Sequence, residues 1–124
     1  MRPPSDLIAK GRGRAFWNRV QKDFDLSTPE LEILAEVCRC LDEIDLLRAD
    51  VAATGTTTTG SRGQIVVNPA LSEMRQARAE LRRLLEMLSL PDPAQDSGKA
   101  VTGARSARAA KAARTRWEVH SGPR

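Results

Sequence analysis

The chain has 124 residues, of which 29% are charged and only 3% are aromatic, and its net charge is +4. This length favours one domain, and the scarcity of aromatic side chains requires a core of aliphatic residues. No apolar run reaches the ~20 residues that a membrane-spanning helix needs, and the N-terminus lacks the apolar core of a signal peptide. We therefore expect a soluble, intracellular protein without a membrane partner.

Charge is unevenly distributed along the chain. Residues 1–26 hold six basic and three acidic side chains, residues 27–53 hold two and seven, residues 54–90 hold five and three, and residues 91–124 hold seven and three. Two basic ends therefore flank an acidic middle, a pattern that permits an anionic partner at either end.

The N-terminal part combines a flexible start with a basic segment. Residues 1–9 contain paired prolines and no periodicity, which predicts a flexible N-terminus. Residues 10–14, KGRGR, place three cations around two glycines, and residues 15–22 have the apolar spacing of a short helix. Trp17 has apolar neighbours there, so we expect it in the core, with stacking on a nucleic-acid base as the alternative.

A long helix is predicted from Ser27 to about Ala52. Ser27 and Glu30 have the spacing of a capping box, and Pro29 fits the first turn. At 1.5 Å per residue this helix is about 35 Å long. Its apolar side chains recur at the three- and four-residue steps of a coiled-coil heptad seam: Leu34, Val37, Leu41, Ile44 and Val51.

Residues 53–67 interrupt the helical pattern with glycine and threonine. Threonine favours extended backbone, and residues 65–67 are a β-type run. We expect an exposed excursion, either a loop or a small β-hairpin with its turn near residues 60–63. It is not a phosphate-binding loop, because no Lys-Ser or Lys-Thr follows the glycines.

A second long helix is predicted from Asn68, a helix cap, and Pro69, at the first helical position, to Leu90. Its length of about 30 Å matches that of the preceding helix. The pattern therefore predicts an all-α fold, with a short N-terminal helix and a long antiparallel helical hairpin.

The apolar stripe of the last helix is wider than one partner helix covers. We therefore expect neighbouring copies to cover the remainder in a closed ring. The residues predicted for this oligomerisation are Leu34, Val37, Leu41, Ile44, Leu71, Met74, Leu81, Leu84, Leu85 and Leu88.

The C-terminal part is predicted to be a basic, largely disordered tail. Pro91 and Pro93 stop the helix, and residues 99–116 hold many alanines and cations with no large aliphatic side chain after Val101. The predicted organisation is thus a flexible start at 1–9, a helical oligomerisation and DNA-binding domain at 10–90, and the tail at 91–124.

Catalytic and metal-binding chemistry has little support. The single histidine, His120, lies in the tail, so a histidine-based triad or metal cluster is not expected. Asp42, Glu43 and Asp45 would need a facing carboxylate source to bind a metal. We expect them to form a solvated face or to pair with arginines of the last helix: Arg75, Arg78, Arg82 and Arg83. We predict no enzymatic activity, no cofactor and no metal.

The two cysteines are expected to be reduced thiols. Cys38 and Cys40 are two residues apart inside a helical pattern, so their side chains point in different directions and are poorly placed to pair. Buried or half-buried thiols of an intracellular protein are the expectation.

Nucleic-acid binding through phosphates has more support than catalysis, because cations cluster at both ends of the chain. Ordinary solubilising charge is the alternative for either cluster alone. The residues predicted to bind DNA are Lys10, Arg12, Arg14, Arg19, Lys22, Lys99, Arg105, Arg108, Lys111, Arg114 and Arg116.

Four segments in order carry a family resemblance: GRGRAFWNRVQKDFDLSTPE, CRCLDEIDLLRADV, TGSRGQIVVNPAL and LSLPDPA. Together they span about residues 10–94 and combine a basic glycine-containing start, Phe-Trp, a capped acidic helix, a polar excursion and an Asn-Pro helix start. In this combination the chain resembles the small terminase subunits of tailed double-stranded DNA phages.

The resemblance implies a viral genome-packaging function in the host cytoplasm. A protein of this kind would assemble into a ring, bind viral double-stranded DNA and recruit the large terminase subunit, which holds the ATPase and the nuclease. No sequence-reading helix-turn-helix is evident, so contacts to the DNA backbone are expected. The alternative is a dimeric helical protein with a DNA-associated regulatory or structural role.

Overall fold

The computed structural model of the protein describes residues 1–91, which form three helices and one small hairpin of two strands. The elements in chain order are α1 (Arg12–Asp23), α2 (Thr28–Thr54), β1 (Thr57–Thr59), β2 (Ile65–Val67) and α3 (Pro69–Leu88). The predicted mostly helical fold is therefore confirmed for this part of the chain. The predictions for residues 92–124 lie outside the described residues.

Helix α1 begins one turn earlier than its apolar pattern predicted. Its N-cap, Gly11, has no side chain with which to cap the helix. The cap comes from α2 instead, where Asp42 Oδ1 accepts a hydrogen bond from Gly13 N at 3.0 Å. Asp42, which is distant in sequence, thus accepts from the Gly13 amide, which has no hydrogen-bond acceptor within its own helix. The helix therefore extends back to Arg12.

Helix α2 begins as its sequence predicted, with a complete capping box. Ser27 Oγ accepts from Glu30 N, and Glu30 Oε1 accepts from Ser27 N at 3.1 Å. The helix ends at Thr54, and its C-cap, Gly55, has a φ of 93° that is favourable for glycine and unfavourable for other residues. Its end lies two residues beyond the predicted Ala52.

The excursion between the long helices is a β-hairpin rather than a loop. Strands β1 and β2 are antiparallel, with Thr58 opposite Val66. Gly60 N donates to Gln64 O at 2.7 Å, and Gly63 has a positive φ of 80°, so the turn lies in the predicted 60–63 region.

Asn68 joins the hairpin, the end of α2 and the start of α3. Its Oδ1 accepts from Ala70 N at 3.0 Å, which caps α3, while its Nδ2 donates to Gly55 O at 2.9 Å. Its backbone N donates to Thr56 O. The start of α3 is therefore held beside the end of α2.

The core is aliphatic with a few aromatic side chains. One cluster contains Leu7, Trp17, Val20, Phe24, Leu34, Ala35, Cys38 and Leu88. A second contains Val37, Cys40, Leu41 and Leu84. Trp17 is 3% exposed, and its Nε1 donates to Met1 O at 3.2 Å, so it is a core residue, as predicted, and is not accessible for base stacking. Leu7 brings the N-terminal segment into the same core.

Much of the apolar stripe assigned to contacts between copies is covered within one chain. Buried residues of that set are Leu34, Val37, Leu41, Ile44, Met74, Leu84 and Leu88. Leu71 and Leu81 are half-buried, and Leu85 is 37% exposed. Leu7 and residues of α1 share a buried cluster with Leu34 and Leu88 of this set. The apolar patterns of the two long helices alone could not predict that contribution.

Candidate nucleic-acid interface

Three of the predicted DNA-binding cations lie on one face of α1. Arg12 and Arg19 are seven residues apart and Lys22 is three residues further, spacings that share one side of a helix. All three side chains are exposed. Their ammonium and guanidinium groups can therefore approach a phosphate backbone together. We call these three residues the α1 cationic face.

This face borders an apolar groove between the three helices. The groove has a volume of about 380 Å³ and is lined by Arg12, Ala15, Phe16, Arg19, Val37, Leu41, Leu81 and Leu85. Its floor is hydrophobic and its rim on α1 is cationic. Phe16 and Leu85 thus remain partly accessible next to the charges.

Arg14 and Lys10 are placed differently from the α1 cationic face. Arg14 is half-buried, and its Nη2 donates to Leu7 O at 3.2 Å, which ties it to the N-terminal segment. Lys10 is exposed in the turn before α1, with a positive φ of 59°. The structure therefore separates Arg14 from the other predicted cations of this segment.

An ion pair to α2 partly compensates the charge of Arg12. Its Nη2 lies 3.0 Å from Asp45 Oδ1, which also lies 3.6 Å from Arg48 Nη1. These side chains are about half exposed, and such a pair contributes only ~0.2–1 kcal/mol. A phosphate can compete for Arg12 at that modest cost.

The predicted acidic cluster on α2 is divided between the core and the surface. Asp42 is only 6% exposed and accepts two backbone hydrogen bonds, from Ile8 N at 2.8 Å and from Gly13 N at 3.0 Å. It occupies the positive end of α1, so that end is not open to a phosphate. Within residues 1–91, no group of three potential ligands is placed to hold a metal ion.

Of the two arrangements expected for these carboxylates, a solvated face or pairing with the arginines of α3, the pairing is wrong among the described residues. Arg83 pairs with Glu80 of its own helix. Arg75, Arg78 and Arg82 are exposed around Ala79 and form no ion pair with another residue of the described part. Two carboxylates of α2 contact the N-terminal part of the chain instead: Asp45 pairs with Arg12, and Asp42 accepts hydrogen bonds from backbone amides there. These contacts form because α1 and the segment before it pack against α2.

Sequence reasoning missed both the capping function of Asp42 and the pairing of Arg39 with Asp6. Arg39 Nε lies 2.8 Å from Asp6 Oδ2, and this bond lowers the pKa of the exposed Asp6 carboxyl. Asp42 follows Cys38 by four residues, so it shares the buried side of α2. That spacing was a usable signal for Asp42, whereas the contact with Asp6 has no local signature.

Both cysteines are buried free thiols, as predicted. Burial, and to a lesser degree the nearby Asp42 carboxylate, raise the pKa of Cys38 to about 12. Burial also raises the pKa of Cys40. Since the thiolate is the nucleophile and metal ligand, neither cysteine is activated for chemistry.

The other predicted DNA-binding residues belong to the tail. Lys99, Arg105, Arg108, Lys111, Arg114 and Arg116 lie outside the described residues. None of the helices within residues 1–91 is long and apolar enough to cross a membrane.

Comparison with known proteins identifies the chain at the level of a family. A family model described as phage terminase, small subunit, matches residues 13–105. This match covers about three quarters of the chain and confirms the resemblance seen in the sequence. Comparisons with curated proteins and with solved structures found no match.

Proposed function

Because the chain belongs to the phage terminase small-subunit family, we propose that it is a DNA-packaging adaptor: it assembles into a ring, binds viral DNA and recruits the large terminase subunit. Members of this family are generally non-catalytic packaging regulators that work with DNA and a large subunit. The large subunit would supply the ATPase and the nuclease, and this chain would position the DNA.

The α1 cationic face is the observation that supports DNA binding. Its three exposed cations lie along about 15 Å of one helix side. Such a face can contact successive phosphates without reading bases. We propose Arg12, Arg19 and Lys22 as the structured part of the contact, with Lys10 in the turn before α1 as an addition and the basic tail as a second contact.

The paired long helices are the proposed frame of the ring. Asn68 Nδ2 contacts Gly55 O at one end of the pair, and Leu88 shares a cluster with Leu34 at the other. These contacts support an antiparallel arrangement of α2 and α3. Apolar side chains that remain for contact with another copy include Leu46 and Met87, each 60% exposed, and Leu85.

One observation favours the alternative of a dimeric, DNA-associated regulatory or structural protein. Seven of the ten residues predicted for oligomerisation are buried within a single chain. A smaller apolar surface is therefore left for neighbours than the sequence suggested, and a dimer needs less of it than a ring does.

Mass in solution and DNA affinity at several salt concentrations test the proposal together. We expect the full chain to be larger than a dimer at micromolar concentration. We also expect log K for duplex DNA to fall linearly with log salt, by ~0.9 for each phosphate neutralised. A monomer would refute the ring, a dimer would favour the alternative, and a salt-independent affinity would refute phosphate binding.

A further inference from the structure

The outer surface of α2 carries an exposed acidic face. Its carboxylates are Glu32, Glu36, Glu43 and Asp50, all exposed, and the last three are seven residues apart, which places them on one side of the helix. Leu46 lies on the same side and is 60% exposed. Arg39 also lies there, but Asp6 and Glu36 neutralise it. We call this surface the α2 acidic face.

The outer surface of α3 carries a complementary face. Arg75, Arg78 and Arg82 share one side of the helix, with the small side chain of Ala79 between them. None of the three forms an ion pair within residues 1–91. We call this surface the α3 arginine face.

Within each face, the side chains of like charge repel one another when no partner is bound. Like charges three or four residues apart on a helix destabilise it. The two faces would relieve each other, yet the structure keeps them apart in one chain. A second copy can bring them together.

We infer that the α2 acidic face of one copy binds the α3 arginine face of the next copy, so that the assembly grows head to tail. This inference rests on the proposed ring and assigns its interface. Because the contact joins two different surfaces, it repeats around an axis and closes a ring when the rotation allows. Leu46, on the same side of α2, would be shielded from water in the same contact.

Charge matching and Leu46 favour another copy over DNA as the partner of the α3 arginine face. DNA phosphates could neutralise the arginines, but they would leave Glu32, Glu43 and Leu46 without a partner. A second copy satisfies both faces and buries Leu46 at once. Opposite potentials across an interface also fix its register and exclude wrong partners.

Charge reversal of one face at a time provides the test. One variant carries Glu32→Lys, Glu36→Lys and Glu43→Lys, and the other carries Arg75→Glu, Arg78→Glu and Arg82→Glu. Each is compared with the wild-type chain by light scattering at micromolar concentration, and helicity is followed by circular dichroism. Glu73→Lys and Arg62→Glu, exposed positions off both faces, are the charge-change controls.

We expect each reversed variant alone to fall to the monomer mass, while the controls keep the wild-type mass. An equimolar mixture of the two reversed variants should regain the assembled mass, because each then presents the opposite charge to the other. Such rescue cannot come from misfolded chains.

Other outcomes overturn the inference in distinguishable ways. An assembled wild type whose mass neither reversal changes would refute this interface while leaving the ring intact. An arginine-face variant that stays assembled but loses DNA affinity would assign those arginines to phosphates instead. A monomeric wild type would refute the ring and the inference together, and an isologous dimer would refute head-to-tail growth.

Discussion

The carboxylate of Asp42 and the backbone of Gly13 hold α1 against α2. Gly13 N donates to Asp42 Oδ1 at 3.0 Å, and a Cβ on Gly13 would clash with Cys38 O and lie 2.8 Å from that same carboxylate oxygen. The absence of a side chain lets the helices approach closely, and the carboxylate satisfies the amide that this approach buries. The α1 cationic face takes its position from this contact.

Removing the carboxylate of Asp42 should strongly destabilise the protein. Asp42→Ala leaves the buried amide of Gly13 and the partly buried amide of Ile8 without their acceptor, and hydrogen bonds to a charged group contribute ~1.5–3 kcal/mol each. We expect the free energy of unfolding to fall by about 3 kcal/mol in urea titrations. Asp45→Ala, which removes a half-exposed ion pair, should cost no more than ~1 kcal/mol. Equal losses in the two variants would contradict the capping function of Asp42.

Adding one methyl group at Gly13 should also destabilise the fold. Alanine favours a helix over glycine by ~1 kcal/mol, but the clash with Cys38 O is with rigid backbone, and overpacking costs ~1–3 kcal/mol. We therefore expect Gly13→Ala to lower the melting temperature. Asn18→Ala, at an exposed position of the same helix, should leave it unchanged or raise it slightly. A Gly13→Ala protein as stable as the wild type would show that α1 does not need this close approach.

The stability of the protein should decline in alkaline solution because of Cys38. Its thiol has a pKa of about 12 in the folded chain, against an ordinary value of 9.0. Folding therefore favours the protonated thiol, so this contribution to stability is complete below pH 9 and is lost as the pH rises from 9 towards 12. Urea titrations across this range should show a smaller decline for Cys38→Ala than for the wild type. Identical slopes would contradict the raised pKa.

Loss of two cations from the α1 cationic face should weaken DNA binding without changing the fold. The double variant Arg19→Ala with Lys22→Ala removes two proposed phosphate contacts, so the slope of log K against log salt should become shallower by about 2. Arg62→Ala in the hairpin removes one cation away from this face and is the matched control. Fluorescence anisotropy with duplex DNA measures both, and an unchanged slope in the double variant would place the contact elsewhere.

Elements with local signals were predicted well from the sequence. The capping box of Ser27 with Glu30 and the cap and proline at Asn68 and Pro69 set the starts of α2 and α3. These signals act over three or four residues, so neighbouring side chains suffice to form them. The hairpin turn near 60–63 follows in the same way from its glycines.

The candidate site was only partly predictable. The cations of α1 could be read from the sequence, but not the separation of Arg14, which depends on its bond to Leu7 O. The α2 carboxylates were expected either to form a solvated face or to pair with the α3 arginines, and the structure shows no such pairs among its described residues. Composition cannot reveal whether opposite charges on two helices face each other or point outward.

By itself, then, the sequence determined the family, the three helices and the basic character of the N-terminal segment, because spacing, caps and charge are properties of neighbouring residues. Only the tertiary structure decided that Asp42 caps α1 and that Leu7 and α1 share a buried cluster with Leu34 of α2 and Leu88 of α3. Those outcomes depend on contacts between residues about thirty or more positions apart, and their geometry exists only once the chain has packed.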